Sequence, residues 1–526
     1  MIITALVTMS AISATAYDFM ADGLAYLINA DGTTATVTYL DRRQSTNYDQ
    51  LTTAAIPSQV TDPATGRTYT VTTIGESAFY SNKTITRTEI PPTITRMEKD
   101  AFGSSASKNN VYITDLKQWC AIEFANDGAN PLYPRIPLYL NEQLVSELTI
   151  PEEVTVINNF AFTRCKSLTK LIIDANAPSI DRHAFYSCTS LTSVEINGNV
   201  TRIDSSAFQG CNKLVALKLP ATLDTIGPSV FSGCTSLIAV ELPSALRQVT
   251  RQAFKGCTSL LSVKLGDNVE IIGTSAFNGC TKLATLNILP RLRAIGSNAF
   301  NNCKMLNSFD LPITCSDVRH NALKGTGWYN AHPDGVMYAG YVAYEYKGTM
   351  PENYHLELRD SIVGIAQYAF HGQKNLQKVT LPASMYDLGG WCFGSCSNLQ
   401  EVHVRFNQPR YTASQYNLYG EWVVFYQVNL SPATLYVPIG SKKYFEDAEG
   451  WRWFGQIIEE GGMMGDVNGD QQVDIADVNA IIDVMLGKPI SDQLVAASDV
   501  NGDGATDISD VNMVINLMLG KNIFDE

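Results

Sequence analysis

Through the middle of the chain the apolar positions recur in blocks of 23 residues, a period that matches neither a helix nor a lone strand. Phe162, Phe185, Phe208, Phe231, Phe254, Phe277 and Phe300 are each followed three residues later by Cys165, Cys188, Cys211, Cys234, Cys257, Cys280 and Cys303. Leu168, Leu191, Leu214, Leu237, Leu260, Leu283 and Leu306 keep the same register. A constant period in the twenties predicts a solenoid, in which each repeat is one rung that buries its apolar face only against its neighbours. One rung is clearest from Leu214 to Phe231. Leu217 and Leu219 alternate with Ala216 and Lys218, which predicts a short strand with the leucines inward. Pro220 ends that strand, because its ring removes a ladder N–H. Leu223 and Ile226 form a second short apolar segment, and Phe231 plugs the interior as the chain turns into the next rung.

The period lapses twice. Sixty residues separate Phe102 from Phe162, and 47 separate Leu323, which takes the Phe place, from Phe370. The first gap predicts irregular rungs carrying an insertion. In the second, tyrosines alternate around glycines from Asp334 to Tyr346 and read as a hairpin. End rungs expose apolar edges and need caps. The expected organisation is a strand-rich cap over 17–72, repeats over 73–406 with inserts near 103–145 and 325–350, and a second cap over 407–460. Trp451, Trp453 and Phe454 in that second cap read either as cap core or as a carbohydrate platform.

Outward strand positions in successive rungs are Glu195, Lys218, Glu241 and Lys264. Parallel neighbours set opposite charges side by side, each pair contributing about 0.2–1 kcal/mol, so the stripe reads as a self-neutralising face. Eight cysteines, the seven above and Cys396, share one repeat position. Side chains stacked about 4.8 Å apart and pointing the same way give poor disulfide torsion, so they read as a ladder of buried thiols. Cys120, Cys315 and Cys392 lie off that ladder and are given no pairing.

The first 16 residues are small and apolar and end Ala14-Thr15-Ala16, an h-region with an A-x-A cleavage site. Export to the cell surface, the extracellular space or the periplasm is expected. The segment has no basic n-region, which leaves two readings: a start further upstream, or no signal at all. No cysteine stands directly after the cleavage point, where Tyr17 follows, which argues against a lipid anchor. No later window is long and apolar enough for a transmembrane helix.

The net charge of -14 is concentrated at the end of the chain. From Gly465 to Glu526 twelve acidic residues face only Lys488 and Lys521, which leaves no basic patch for nucleic acid. Here the sequence duplicates at an offset of 33 residues. Asp466, Asn468, Asp470, Gln472, Asp474 and Asp477 occupy positions 1, 3, 5, 7, 9 and 12 of one loop, and Asp499, Asn501, Asp503, Ala505, Asp507 and Asp510 those of the other. With the carbonyls of Gln472 and Ala505, this is the oxygen schedule of an EF-hand calcium loop, and two calcium ions are expected. Position 12 is Asp rather than Glu, and position 6 is Gln471 in the first loop but Gly504 in the second, so the first should bind more weakly. A helix follows each loop, with Val478, Ile481, Ile482 and Met485, or Val511, Val514, Ile515 and Met518, on one face. The fold class is therefore a β-rich solenoid with strand-rich caps and a small all-α module over 465–526.

The duplicated loop and helix, with Leu486-Gly487 and Leu519-Gly520 ending each copy, resembles a type I dockerin. Ala207-Phe208-x-x-Cys211-x-x-Leu214, with Leu219-Pro220 and Ile226-Gly227, is similar to the BspA-type leucine-rich repeats of bacterial surface proteins. These resemblances imply a calcium-folded module that docks to a cohesin-like protein, and repeats that bind a host or surface protein. A glycan is a further candidate partner. Positions 10 and 11 are Ile475-Ala476 and Ile508-Ser509, where cellulosomal dockerins often carry Ser-Thr, so the partner is not specified.

The leading expectation is a non-catalytic adhesin or recognition protein. One alternative is a component of a polysaccharide-degrading complex with glycan-binding or hydrolase activity. Another is a calcium module that packs on its own repeats as a clasp. The six histidines show no ligand or triad spacing, and neither a G-x-S-x-G elbow nor a phosphate loop occurs.

Overall fold

The computed structural model describes residues 17–40, 48–105, 108–410, 424–470, 472–488, 492–501 and 503–520. The expected signal segment, Gln471 and part of the second expected cap lie outside them. By its internal contacts the chain divides into two units, residues 1–246 with 253–263, and 247–252 with 264–526.

In the first unit Phe19–Ala21 and Leu24–Ile28 form a hairpin. Asp22 and Gly23 at its tip both have positive φ, the conformation that matches a tight turn to the twist of its strands. Thr34–Thr38 pairs antiparallel with this hairpin and parallel with Thr68–Ile74, and there the chain changes to parallel rungs. Glu147–Ile150, Lys170–Ile173, Ser193–Ile196 and Ala216–Lys218 pair in parallel with Glu147, Lys170, Ser193 and Ala216 in line. Equivalent repeat positions therefore face one another. A second row of two-residue strands, Ser179–Ile180, Arg202–Ile203 and Thr225–Ile226, runs beside the first.

Each rung turns through a left-handed residue two before its phenylalanine, as at Ser206 and Ser229 with φ 57° and 58°. Gly227 has a different reason to be glycine: a Cβ there would lie 2.3 Å from the Ser205 nitrogen of the previous rung. The rings of Phe162, Phe185 and Phe208 stack at 5.1 Å between successive centroids, fully buried. Such contacts contribute about 0.5–1.5 kcal/mol each beyond the area they bury.

The thiol ladder is free and buried. Within the first unit the Sγ atoms of Cys188, Cys211, Cys234 and Cys257 donate to the carbonyls of Phe162, Phe185, Phe208 and Phe231, at 3.1–3.4 Å. Cys120, Cys315 and Cys392 are free and buried as well. Lys218 Nζ reaches Glu195 Oε1 at 2.5 Å, as the alternating stripe predicts. Leu217 and Leu219 are only half-buried, whereas Val194 and Ile196 are buried. The ladder of four strands ends at Ala216–Lys218, and the strand of the next rung, Ala239–Glu241, begins a separate sheet. The first insert carries a short helix, α1 (Leu116–Ala121), capped by the Asp115 side chain.

In the second unit the ring stack resumes with Phe277 and Phe300, then Phe370, Phe393 and Phe425. Phe425 takes the Phe place 32 residues after Phe393, outside the period. The insert holds α2 (Gly327–Ala331) and the expected hairpin, Gly335–Ala339 with Val342–Lys347. That hairpin does not stand apart from the array. Val342–Lys347 pairs parallel with Gly364–Ile365, which pairs with Asp387–Leu388, so the insert supplies a strand to the short row.

The long row is Tyr354–Glu357, Leu376–Leu381, Glu401–Val404, Thr434–Ile439 and Gln456–Met463, all parallel. α3 (Lys442–Asp447) follows Thr434–Ile439. Trp451 is fully buried among Phe406, Phe425, Phe445 and Phe454. Of the expected carbohydrate platform, only Trp453 is exposed.

Candidate metal centre

The tail module contains α4 (Ile475–Met485), α5 (Asp492–Ala497) and α6 (Ile508–Met518). Val467, Val478, Ala480, Ile481, Val500, Val511 and Val514 close a core of their own. Each acidic loop precedes a helix, and its carboxylates are held by loop backbone. Asp466 Oδ1 accepts from the N–H groups of Gly469 and Asp470 at 2.8 and 3.0 Å. Asn468 Oδ1 accepts from Asp470 N, and Asp470 Oδ1 from Gln472 N. In the second loop Asp503 N donates to Asn501 Oδ1, Gly504 N to Asp499 Oδ2 and Ala505 N to Asp503 Oδ1. Gly504 has φ 90°, a conformation that favours glycine at position 6.

The last acid of each loop does two jobs. Asp477 is fully buried and accepts from Val467 N, Asn468 N and Asp474 N at 2.7–3.0 Å. Asp510 accepts from Asn501 N and Asp507 N. With Asp474 and Asp507 at the helix N-caps, these acids complete capping boxes for α4 and α6. The Ser509 hydroxyl and backbone N–H hold the Asp507 carboxyl below its ordinary pKa. The expected ligands of each loop thus lie on one continuous segment tied together by its own N–H groups. Among the described residues no three His, Cys, Asp or Glu side chains lie close enough to share an ion. Carboxylates repel one another, and here they accept from the N–H groups of their own loops instead. The donor set is hard oxygen throughout, which fits calcium.

The helices do not bury the whole apolar face expected of them. Val478 and Ile481 point inward, as do Val511 and Val514, but Ile482, Met485, Ile515 and Met518 are exposed. Beside these, Ile475 and Ile508 are 61% and 62% exposed, and Leu486 and Leu519 68% and 63%. The same four positions are uncovered in both copies, at the offset of 33. Helix α5 and these exposed faces were not legible in the sequence: six residues are too few for a period, and periodicity does not say which apolar residues meet a neighbour.

Arg410, which follows the Glu401–Val404 strand in the second unit, contacts the second loop. Its Nη2 lies 3.7 Å from Asp499 Oδ2, with side-chain exposures of 7% and 15%. Burial lowers the Arg410 pKa, while Asp499 and Asp503 oppose that shift.

Residues 66–127, 138–258, 203–330 and 343–419 match the family described as BspA type Leucine rich repeat region (6 copies). Residues 464–519 match the Dockerin type I domain, a calcium-binding class. No curated protein matches the chain. A leucine-rich repeat protein from Bacteroides ovatus ATCC 8483 is 21% identical, with a TM-score of 0.37, over 74% of this chain and 94% of its own. One from Eubacterium ventriosum ATCC 27560 is 18% identical, with a TM-score of 0.37, over 58% and 93%. The pneumococcal vaccine antigen PcpA is 13% identical, with a TM-score of 0.31, over 84% and 98%.

Proposed function

We propose, for a chain that belongs to the BspA type leucine-rich repeat family and ends in a type I dockerin domain, an exported, non-catalytic recognition protein. Its tail attaches it to a cohesin-like module, and its repeats bind a protein or glycan partner at the cell surface. The observation that carries this reading is the duplicated exposed face, Ile482 and Met485 on α4 repeated as Ile515 and Met518 on α6. Apolar side chains held out from a module with its own closed core mark an interaction surface.

Two calcium ions would be held by Asp466, Asn468, Asp470, Asp474, Asp477 and the Gln472 carbonyl, and by Asp499, Asn501, Asp503, Asp507, Asp510 and the Ala505 carbonyl. Calcium, when bound, supplies the charge that lets these like-charged groups approach one another. The loops anchor the first turns of α4 and α6 through Asp474, Asp477, Asp507 and Asp510, and so set the spacing of the exposed residues. On the repeats, Val215, Ile238 and Leu261 recur one per rung in the first unit, 42%, 44% and 48% exposed, and offer a surface for a partner.

The test is capture of the full chain on a panel of immobilised cohesin modules, in calcium and in EGTA. Capture in calcium alone is expected. Ile482→Asp with Met485→Asp should weaken it less than tenfold, because the second face remains. Adding Ile515→Asp and Met518→Asp should weaken it more than about 100-fold, as the loss of a buried hot-spot cluster does. Capture that survives EGTA or all four substitutions overturns the reading. Release of reducing sugar from a glycan panel by the purified chain would replace it with the hydrolase alternative.

A further inference from the structure

Asp499 has two prospective cationic partners. It is the first ligand position of the second loop, and its Oδ2 already faces the buried guanidinium of Arg410 at 3.7 Å. The same oxygen accepts the Gly504 N–H at 3.1 Å, so the contact engages the loop itself. Arg410 is set in the repeat array by its own chain segment, with its guanidinium 5.6 Å from the Phe406 ring.

Two cavities flank this buried pair. A cavity of about 700 Å³ lined by His403, Arg405, Glu460 and Asp466 adjoins it on one side. One of about 300 Å³ lined by Tyr341, Tyr386, Val495 and Thr506 adjoins it on the other, and Arg410 and Asp499 line both. The charge pair thus sits where the two cavities meet, between the repeat array and the second loop of the tail.

We propose that Arg410 is a built-in counter-ion for the second loop, holding the tail module on the repeat array, and that calcium loading of this loop displaces it and frees the module. This rests on the calcium reading given above. A guanidinium and a divalent cation on one carboxylate repel each other, so each weakens the other's hold. By linkage the effect is reciprocal: calcium loosens the docking, and the docking lowers the calcium affinity of this loop. An undocked module presents its α4 and α6 faces without the repeats beside it, so calcium would govern the release of the module.

The experiment uses the full chain, as the native protein and as Arg410→Met and Arg410→Lys variants. Calcium binding is followed by isothermal titration, and the radius of gyration by small-angle scattering, in EGTA and in calcium. For the native chain the radius should rise on calcium addition. Arg410→Met should already have the larger radius in EGTA, and should bind one of the two ions about 5- to 30-fold tighter, the range of a typical coupling between sites. Arg410→Lys keeps the charge and should stay within threefold of native affinity. A native chain that binds calcium with no change in radius overturns the proposal and needs no variant. Equal calcium affinity in native and Arg410→Met chains of native helicity also overturns it. If neither chain binds calcium, the calcium reading falls first and the release mechanism with it.

Discussion

Asp387 lies beneath the rung that carries Ser316 and Asp317. Burial, and then the charge of Asp317, raise its pKa to about 6, while the Ser316 hydroxyl and Arg319 oppose them. Its folded pKa therefore exceeds the unfolded value, and between about pH 4 and 6 the folded chain holds a proton that the unfolded chain has released. Stability should fall as pH rises through that window and level off above it. Asp387→Asn should abolish the slope and stabilise the second unit at pH 7.5 by on the order of 1–3 kcal/mol, read from urea midpoints at pH 4.5 and 7.5. Nothing in the sequence marks this aspartate, because its environment comes from Ser316 and Asp317, some seventy residues earlier. The cysteines show the opposite balance. Their shared position and burial are legible from the period, but the acceptor of each thiol, a phenylalanine carbonyl 26 residues back, exists only once the rungs stack.

At the scale of the element, the acids that read as calcium ligands are also helix caps. Asp510→Ala removes an acceptor for the Asn501 and Asp507 N–H groups and one arm of a capping box. The tail should lose about 1–3 kcal/mol even in EGTA. Melting of the full chain followed by far-UV circular dichroism should show the helical transition moving down while the repeat transition stays in place. A role confined to metal binding would leave the EGTA melt unchanged. The loops and helices were legible because spacing encodes them. The double role was not, since the hydrogen-bond partners of a carboxylate are set by the fold of its loop. The hairpin of the second unit is a similar case: its alternation predicts two strands, and only the structure shows one of them pairing with Gly364–Ile365.

For the molecule as a whole, the in-line register of the rungs makes length a matter of integers. Removing residues 207–229, one period, should leave a folded chain with its strands in register, because each rung contacts only its neighbours. Removing 208–229, one residue fewer, leaves the flanking rungs out of step and turns strand side chains to the wrong face. That chain should melt at least about 5 °C lower than the one-period deletion in a thermal scan, or aggregate. Equal melting of the two would mean that register does not hold the array. The sequence alone determined the repeat, the inward set of Phe, Cys and Leu, and the two acidic loops, because each is a pattern of short-range spacing that any copy of the rung or loop must obey. The tertiary structure decided that the ring stack continues at Phe425 outside the period, which tail residues stay uncovered, and that Arg410 meets Asp499. Those outcomes depend on contacts between residues far apart in the chain, which local periodicity does not encode.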